Sequence, residues 1–457
     1  MDESFHKKFL DAIVPLELYS YEQRESKEVA LAFLVLRSAC LRVSVVELVN
    51  HINGRMDYLS LASQREQDFF SFFMRLTETI DSLFFNNDAG VSEIFRAFVV
   101  KGRADDGSVT HLLNIYKMLF QEDVSESQLA DVFEWLLLEL YSSRGGGMEF
   151  YTPRNLIDFA IQLVIPEIGE SVYDPVCGTG GFLVGVNRYL LKQNSTAYTE
   201  LFGRDKNLYA VKIALWNLYI HSCSDFSVSL GDSLSGSTID RFKKYDLVLA
   251  NPPFSVKDWN WNSFISSEMS LYGSPPRANA DYAFLQHIIF SLSERGRAAV
   301  IVPAGVLFRG GAEKEIRKNI INDNLIEMIV SLPAGVIKGT GVSLCMIFLS
   351  KRSRSGSIVF AGLSNRLKRS GFESPALELN KLLELCKRRE DVAGSCRRVS
   401  VEEIELNDFD LSVSRYVSNS AAEERGVSEV AEDYIRLENE LRYLQDEMKN
   451  FLDDVLE

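Results

Sequence analysis

The chain has 457 residues, of which 46% are apolar and 25% charged, a composition typical of a globular protein with two or three domains. Its formal net charge of −15 argues against a protein that binds DNA with its whole surface. The six cysteines have no CxxC spacing, and the sequence shows no signal peptide and no apolar run of eighteen residues. We therefore expect a cytoplasmic protein with reduced thiols, no metal site and no membrane contact.

Residues 1–145 are predicted to form an all-helical N-terminal domain. The segments 29–41 and 129–141 are rich in Leu, Ala, Phe and Glu and repeat their apolar residues at helical spacing. The run Arg144-Gly145-Gly146-Gly147 is typical of a flexible joint, so we place a domain boundary there.

From residue 146 to residue 400, short apolar segments alternate with helical ones. Strands are predicted at 171–174, 200–204, 245–251, 298–303, 326–332 and 344–349, with helices at 182–192 and 208–222 between them. This alternation predicts an α/β domain with a doubly wound, Rossmann-like sheet that binds ligands at the carboxyl ends of its strands.

The charge is unevenly distributed in the last hundred residues. Residues 351–400 carry twelve Lys or Arg and five acids, which is compatible with a solvated surface or with a strip that faces phosphates or an acidic partner. Residues 401–457 form an acidic tail with five basic and seventeen acidic residues. Within this tail, apolar residues at 427–455 alternate three and four apart. The pattern favours a coiled-coil-type helix that pairs with another chain over one that packs on its own chain.

A glycine-rich segment follows the first predicted strand of the α/β domain. It begins at Asp174 and contains Cys177, Gly178, Thr179, Gly180, Gly181 and Phe182, after which a helix is predicted. A strand, a glycine turn and a helix bring backbone N–H groups close to a bound nucleotide. The absence of Gly-Lys-Ser/Thr from the segment argues against a phosphate-cradling P-loop.

Two further acids stand where the next strands end. Asp205 is suited to accept hydrogen bonds from two ribose hydroxyls, and Asp232 from the exocyclic amine of an adenine. Either acid alone is more often a helix cap, but three acids at consecutive strand ends indicate a ligand with an adenosine part and no phosphate. S-adenosylmethionine fits this description.

The tetrapeptide Asn251-Pro252-Pro253-Phe254 follows the apolar strand at 245–250. The prolines fix φ and remove two backbone N–H donors. The Asn251 side-chain oxygen and the Pro252 carbonyl are then left to accept hydrogen bonds from both N–H groups of a planar amine. Such an arrangement orients the amine towards a methyl donor without a nucleophilic side chain. Phe254 is expected to stack on the base that carries the amine, and a base in a duplex must first be flipped out.

On these motifs the sequence resembles the modification (methyltransferase) subunit of type I restriction–modification systems, a group of adenine-N6 DNA methyltransferases. The likeness runs from Gly145 to Lys351 and includes segments around 280–284, 296–308 and 332–342. It also covers the residues before the glycine loop, to which the family assigns a part of the cofactor pocket: Met148, Glu149, Phe150, Tyr151, Thr152 and Pro153. At Asp205 the family usually has Glu.

The resemblance implies a division of labour between subunits. A separate specificity subunit would select the DNA sequence, and the helix at 427–455 would dock on it. Two copies of this chain would assemble with one specificity subunit, and a restriction subunit with motor and nuclease activities would join optionally. Three alternatives stay open at this point: methylation of cytosine N4, methylation of a glutamine amide in a protein, and a binding component without turnover.

Overall fold

The structure of the protein is a computed structural model. It describes residues 151–417 apart from 195, 197, 236–242, 338–339, 353–354 and 364–373. Of the preceding residues it describes 7–9, 12–13, 23–42, 74–82, 91–92, 94–95, 114–116, 118–119 and 124–142. The predicted joint at 144–147, the site residues Met148, Glu149 and Phe150, and the predicted helix at 427–455 lie outside the described residues.

The longest described elements before residue 151 are the helices α1 (Gln23–Arg42) and α2 (Glu126–Ser142). All regular structure among the described residues of this region is helical. Apolar side chains of these N-terminal helices form one buried cluster with residues of a later helix, Leu208–Ile220. None of the helices in the described part of the chain is long and apolar enough to cross a membrane.

A nine-stranded sheet forms the centre of the second region, in the order β3-β2-β1-β4-β5-β7-β6-β8-β9. The sheet is mixed, because β7 and β9 run antiparallel to their neighbours and all other pairs are parallel. The strands are β1 (Ser171–Asp174), β2 (Glu200–Asp205), β3 (Phe226–Leu230), β4 (Tyr245–Ala250), β5 (Leu292–Pro303), β6 (Ile326–Ser331), β7 (Leu344–Ser350), β8 (Ser357–Ala361) and β9 (Cys396–Ser400). The prediction of an α/β domain is confirmed. Each of the six predicted strands is present, and five of them agree with the prediction to within a few residues at their ends. The sixth, β5, begins six residues before the predicted start at 298. β3, β8 and β9 were not delimited by the sequence pattern.

Helices cover both faces of the sheet. They are α3 (Arg154–Val164), α4 (Gly181–Gln193), α5 (Leu208–Ile220), α6 (Trp261–Ile265), α7 (Asp281–Ser291), α8 (Ala312–Asn322), α9 (Pro375–Arg388), α10 (Val401–Leu406) and α11 (Val413–Val417). One core contains residues of α3, α4 and α9, and the other contains residues of α7 and α8. The second core also includes residues of 401–417, which the charge pattern assigned to the acidic tail.

The strand order reverses between β1 and β4, because the chain moves from β1 outwards to β3 and then returns to β4. At such a switch point the loops that follow neighbouring strands diverge and leave a crevice at the carboxyl ends. The glycine loop after β1 and the tetrapeptide after β4 border this crevice, so the sheet topology brings together two segments whose first residues, Asp174 and Asn251, are 77 residues apart in sequence.

The helix α5 is buried nearly all round, which explains its lack of a polar face. Ala214 and Leu218 join the core on the sheet, while Trp216 and Tyr219 join the cluster of the N-terminal helices. Asn207 begins the helix, since its side chain accepts hydrogen bonds from the backbone N–H groups of the first turn. The helix therefore packs between the N-terminal helices and the sheet.

A buried ion pair holds the end of α3 against the sheet. Arg297 of β5 donates to both carboxylate oxygens of Glu170, at 2.6 and 2.8 Å, and to the carbonyls of Val164 and Ile165, both at 2.6 Å. The Arg297 and Glu170 side chains are only 11% and 9% exposed. One guanidinium thus satisfies the last carbonyls of a helix and a carboxylate that would otherwise be buried without a full set of partners.

We expect Arg297→Met to lower the free energy of unfolding by about 3 kcal/mol, because it leaves the buried Glu170 carboxylate with only Arg352 as a cationic partner. Urea denaturation followed by circular dichroism measures the change. The matched control is Arg389→Met, which removes an ion pair with Glu327 whose arginine is 41% exposed and should cost below about 1 kcal/mol. Equal losses in the two variants would contradict the structural role of Arg297.

Candidate functional site

The glycine loop after β1 has a backbone that side chains would disturb. Gly178 and Gly180 have φ of 52° and 78°, in the left-handed region that favours glycine. A Cβ on Gly180 would lie 3.3 Å from the Cβ of Ala214, and one on Gly181 would lie 2.9 Å from the Cδ1 of Ile157. The loop can therefore pack closely between α3 and α5 only because these positions are glycine.

Asp205, at the end of β2, fixes this loop to the sheet. One carboxylate oxygen accepts a hydrogen bond from the Gly178 N–H at 3.0 Å, and the other accepts from the Asn207 N–H at 2.8 Å. Asn217 of α5 adds a third contact by donating to the Thr179 carbonyl at 2.8 Å. Asp205, which is predicted to bind the ribose, thus also connects the loop to the sheet, and it borders the cavity described below.

Asp174, the last residue of β1, lies beneath the loop. Its carboxyl accepts a hydrogen bond from the Val176 N–H at 3.1 Å, and only 2% of the residue is exposed. Burial raises the pKa of this carboxyl well above its usual range, and the nearby Asp205 charge raises the pKa further, against the opposing effect of the Val176 hydrogen bond. Asp174, the first acid of the predicted set, is therefore held in an environment that penalises its ionised form.

Asp232 follows β3 and connects two loops. Its Oδ1 accepts a hydrogen bond from the Leu234 N–H at 2.9 Å, and its Oδ2 accepts from the Asn260 side-chain amide at 2.6 Å. Asn260 belongs to the segment 255–260 that follows the tetrapeptide. The carboxylate predicted to bind an adenine amine thus already contacts the loop that closes the opposite side of the crevice.

Asn251 follows directly after β4, whose last four residues are completely buried. Its amide Nδ2 donates a hydrogen bond to the Thr152 hydroxyl at 3.1 Å, which fixes the side-chain orientation. The Asn251 Oδ1 is buried and accepts no hydrogen bond from any described residue. A buried acceptor without a donor costs about 1–3 kcal/mol, so this oxygen indicates a ligand that donates to it.

The structure brings Asp205, Asp232, Asn251 and Pro253 to one cavity with a volume of about 190 Å³. The remaining lining residues combine apolar and charged side chains: Pro175, Val176, Lys206, Gly231, Ser233, Leu234, Val256, Asp258, Trp259 and Phe284. A mostly apolar cavity with a few acids suits a cationic nucleoside. Trp259 and Phe284 were not predicted, because nothing in the sequence shows that α6 and α7 return to this edge of the sheet.

The other predicted residues that the structure describes do not line the cavity. Phe182 and Cys177 are buried in the core on the α3 side, and burial raises the pKa of the Cys177 thiol well above its usual range. Phe254 is half-buried and packs against the same core. Tyr151 stacks on Tyr141 of α2 with ring centres 6.3 Å apart. Among the described residues no group of three or more His, Cys, Asp or Glu is arranged to hold a metal ion.

Comparisons with known proteins give a consistent result. The sequence model of the family described as N-6 DNA Methylase matches residues 124–425. The chain is 31% identical over 315 residues to the HindI methylase subunit, a type I restriction enzyme subunit of Haemophilus influenzae, and the match covers 65% of this chain and 70% of that one. It is 30% identical over 373 residues to the MjaVIII methylase subunit, also of a type I restriction enzyme, from Methanocaldococcus jannaschii. This match covers 76% of the chain but only 63% of the relative's length.

Solved structures share the fold. The methyltransferase subunit of a type I restriction–modification system from Streptococcus thermophilus superimposes with a TM-score of 0.69 at 22% identity, over 91% of this chain and 99% of that one.

The burial of Asp174 leads to a prediction about stability. The pKa of the Asp174 carboxyl is raised in the folded protein, so the protonated carboxyl contributes stability that the ionised one does not. This contribution is fully present below the unfolded-state pKa of about 3.9, and it is lost as the pH rises through the folded-state pKa. Asp174→Asn keeps an acceptor for the Val176 N–H and removes the charge. We expect this variant to melt at a higher temperature than the unmodified protein at pH 8, with a difference that shrinks as pH falls towards 4.

Differential scanning calorimetry without ligands measures this difference, and each unit by which the pKa is raised contributes about 1.4 kcal/mol. The control is Asp323→Asn, which removes the charge of an exposed aspartate at the end of α8 that accepts a hydrogen bond from the Tyr272 hydroxyl, and this variant should not melt at a higher temperature than the unmodified protein at pH 8. If Asp174→Asn is less stable than the unmodified protein at pH 8, the carboxylate is stabilising and the electrostatic account of this residue is wrong.

Proposed function

The chain belongs to the N-6 DNA methylase family, and from this premise we propose that it transfers a methyl group from S-adenosylmethionine to the exocyclic N6 of an adenine that is flipped out of duplex DNA. Its relatives are named as methylase subunits of type I restriction enzymes. We accordingly propose that it acts as the modification subunit of such a system.

The observation that carries this proposal is the Asn251 side-chain oxygen. It is buried, it accepts no hydrogen bond from the described residues, and the hydrogen bond from Asn251 to Thr152 prevents the amide from turning away. An adenine amine supplies the missing donor. When Asn251 Oδ1 and the Pro252 carbonyl each accept a hydrogen bond from one of its two N–H groups, the nitrogen lone pair is directed out of the ring plane, towards the methyl donor.

The same two oxygens stabilise the positive charge that develops on the amine nitrogen as the new bond forms. The site would need no covalent intermediate, because the amine nitrogen would form its bond to the methyl carbon as the S–C bond of the sulfonium breaks. S-adenosylhomocysteine would be the leaving group, and the extra proton on the nitrogen would pass to solvent water. Phe254 is proposed to stack on the adenine through the part of its ring that the core leaves exposed.

The described residues fit an adenosine-containing cofactor, because the cavity borders Asp205 and Asp232 at two neighbouring strand ends and lies beside a glycine loop in which Gly180 has a left-handed φ and packs tightly against Ala214. S-adenosylmethionine, when bound, supplies an activated methyl group on its sulfonium. We propose that Asp205 holds the ribose, Asp232 the adenine amine, and the segments 148–153 and 174–182 the rest of the cofactor.

We propose that site selection and assembly depend on other chains. The predicted helix at 427–455 would pair with a specificity subunit, two copies of this chain would share one such subunit, and a restriction subunit would join the complex. The N-terminal helices would form a domain of their own next to α5. We also propose a cytoplasmic location, which is compatible with a DNA substrate.

Asn251→Ala should abolish methyl transfer while the affinity for S-adenosylmethionine changes less than about threefold, because the two acids that face the cofactor stay in place. The measurement uses the full chain with its proposed specificity subunit. Incorporation of tritium from labelled S-adenosylmethionine into DNA gives the rate, and calorimetry gives the affinity. We expect a loss of at least about 1,000-fold in rate.

Asn322→Ala is the matched control, since Asn322 is an exposed asparagine at the end of α8 and does not line the cavity. This variant should methylate DNA at the unmodified rate. If Asn251→Ala retains more than about a tenth of the rate, the amide oxygen does not bind the reacting amine, and the proposed function loses its main support.

A further inference from the structure

The segment 255–260 connects the tetrapeptide to α6 and forms one wall of the cavity through Val256, Asp258 and Trp259. Its first residue, Ser255, has a φ of +52°. This left-handed conformation is unfavourable by about 1 kcal/mol for a residue other than glycine. A backbone in this state persists only when surrounding contacts hold it there.

The contacts that hold it come from the beginning of α7. The Asp281 carboxylate accepts a hydrogen bond from the Ser255 N–H at 2.8 Å through Oδ1. Immediately beside it, the Ala280 N–H donates to the Val256 carbonyl at 3.0 Å. Two successive loop residues are thus bound to two successive residues at the start of a helix. The side chain of Asp281 is 2% exposed, so water does not compete effectively for these bonds.

A buried carboxylate needs a compensating cation, and Arg309 provides it. Its Nη2 donates to Asp281 Oδ2 at 2.5 Å. The position of Arg309 is fixed in turn, because its backbone carbonyl accepts a hydrogen bond from Arg317 of α8 at 2.9 Å. The two oxygens of Asp281 therefore have separate tasks, one binding the loop backbone and the other the cation.

We propose that Asp281 is a positioning residue for methyl transfer, which acts by holding the Ser255 backbone and thereby fixing Asn251 and Phe254 relative to the cofactor cavity. The inference rests on the proposed function of Asn251 as the amine acceptor. Asp281 itself does not line the cavity and does not contact Asn251. Its effect on the rate passes through the loop, since a displacement of about 1 Å in a reacting group lowers a rate by about 100-fold.

Two substitutions separate the tasks of the two oxygens. Asp281→Ala removes both contacts, and we expect kcat to fall by about 100-fold while the affinity for S-adenosylmethionine changes less than about threefold. Asp281→Asn keeps a carbonyl oxygen for the Ser255 N–H and loses the charge opposite Arg309. This variant should stay within about tenfold of the unmodified kcat.

Hydrogen exchange gives a readout that does not require catalysis. Mass spectrometry of the full chain without ligands follows the peptides that cover residues 251–261. We expect faster exchange in Asp281→Ala and near-normal exchange in Asp281→Asn, because only the first variant leaves the Ser255 N–H without its acceptor.

Asp81→Ala is the matched control. Asp81 is likewise a buried aspartate that accepts hydrogen bonds from backbone of another segment, in this case the N–H groups of the helical residues Val91 and Ser92 at 2.8 and 2.9 Å. Its loss should lower stability without changing kcat of the folded protein or exchange at 251–261. The control thus separates a general loss of stability from a loss of loop position.

The outcomes distinguish this inference from the proposed function. If the unmodified protein does not methylate DNA but Asp281→Ala still accelerates exchange at 251–261, the proposed function fails and the clamp on the loop stands. If Asp281→Ala leaves both exchange and kcat unchanged, or if Asp281→Asn loses as much activity as Asp281→Ala, Asp281 does not position the loop through Ser255.

Discussion

The site depends on one buried oxygen, the Oδ1 of Asn251, which accepts no hydrogen bond from the described residues. Leaving it without a donor costs about 1–3 kcal/mol, and the surrounding structure keeps it in that state. β4 contributes a completely buried strand end, the Thr152 hydroxyl holds the amide nitrogen, and Asp281 holds the backbone just beyond the tetrapeptide. In the proposed function, a substrate amine that donates to the oxygen would recover the stability lost at Asn251.

The acids at the strand ends serve the fold as well as the proposed ligand. Asp205 binds the backbone of the glycine loop and the start of α5, and Asp232 binds Asn260 of the loop behind the tetrapeptide. Each carboxylate therefore connects two elements that border the cavity, so a change in either acid is expected to move a wall of the cavity as well as remove a ligand contact. Asp174 differs, because its burial penalises the charged form.

The sequence was sufficient to predict the elements whose signal is local. Buried parallel strands such as β4 are short apolar runs, and the glycine loop and the tetrapeptide stand directly after such runs. The structure brings Asp205, Asp232 and Asn251, which follow strands, to one cavity, and their roles there stay a prediction. β3 was not delimited because its residues alternate between half-buried and exposed without an apolar run. Trp259, Phe284 and Asp281 could not be assigned from pattern alone, since their positions depend on how α6 and α7 pack against the sheet. The acidic composition of 401–417 likewise concealed the apolar residues that join the core.

The measurement that tests the account most directly is the identity of the methylated product. The full chain is expressed together with its proposed specificity subunit in cells without other DNA methylation, and the nucleosides of their DNA are separated and weighed by mass spectrometry. The account predicts N6-methyladenine, absent from cells that carry the specificity subunit alone. N4-methylcytosine as the product, or unmodified DNA together with a methylated glutamine in a protein, would contradict the claim that Asn251 binds the amine of an adenine.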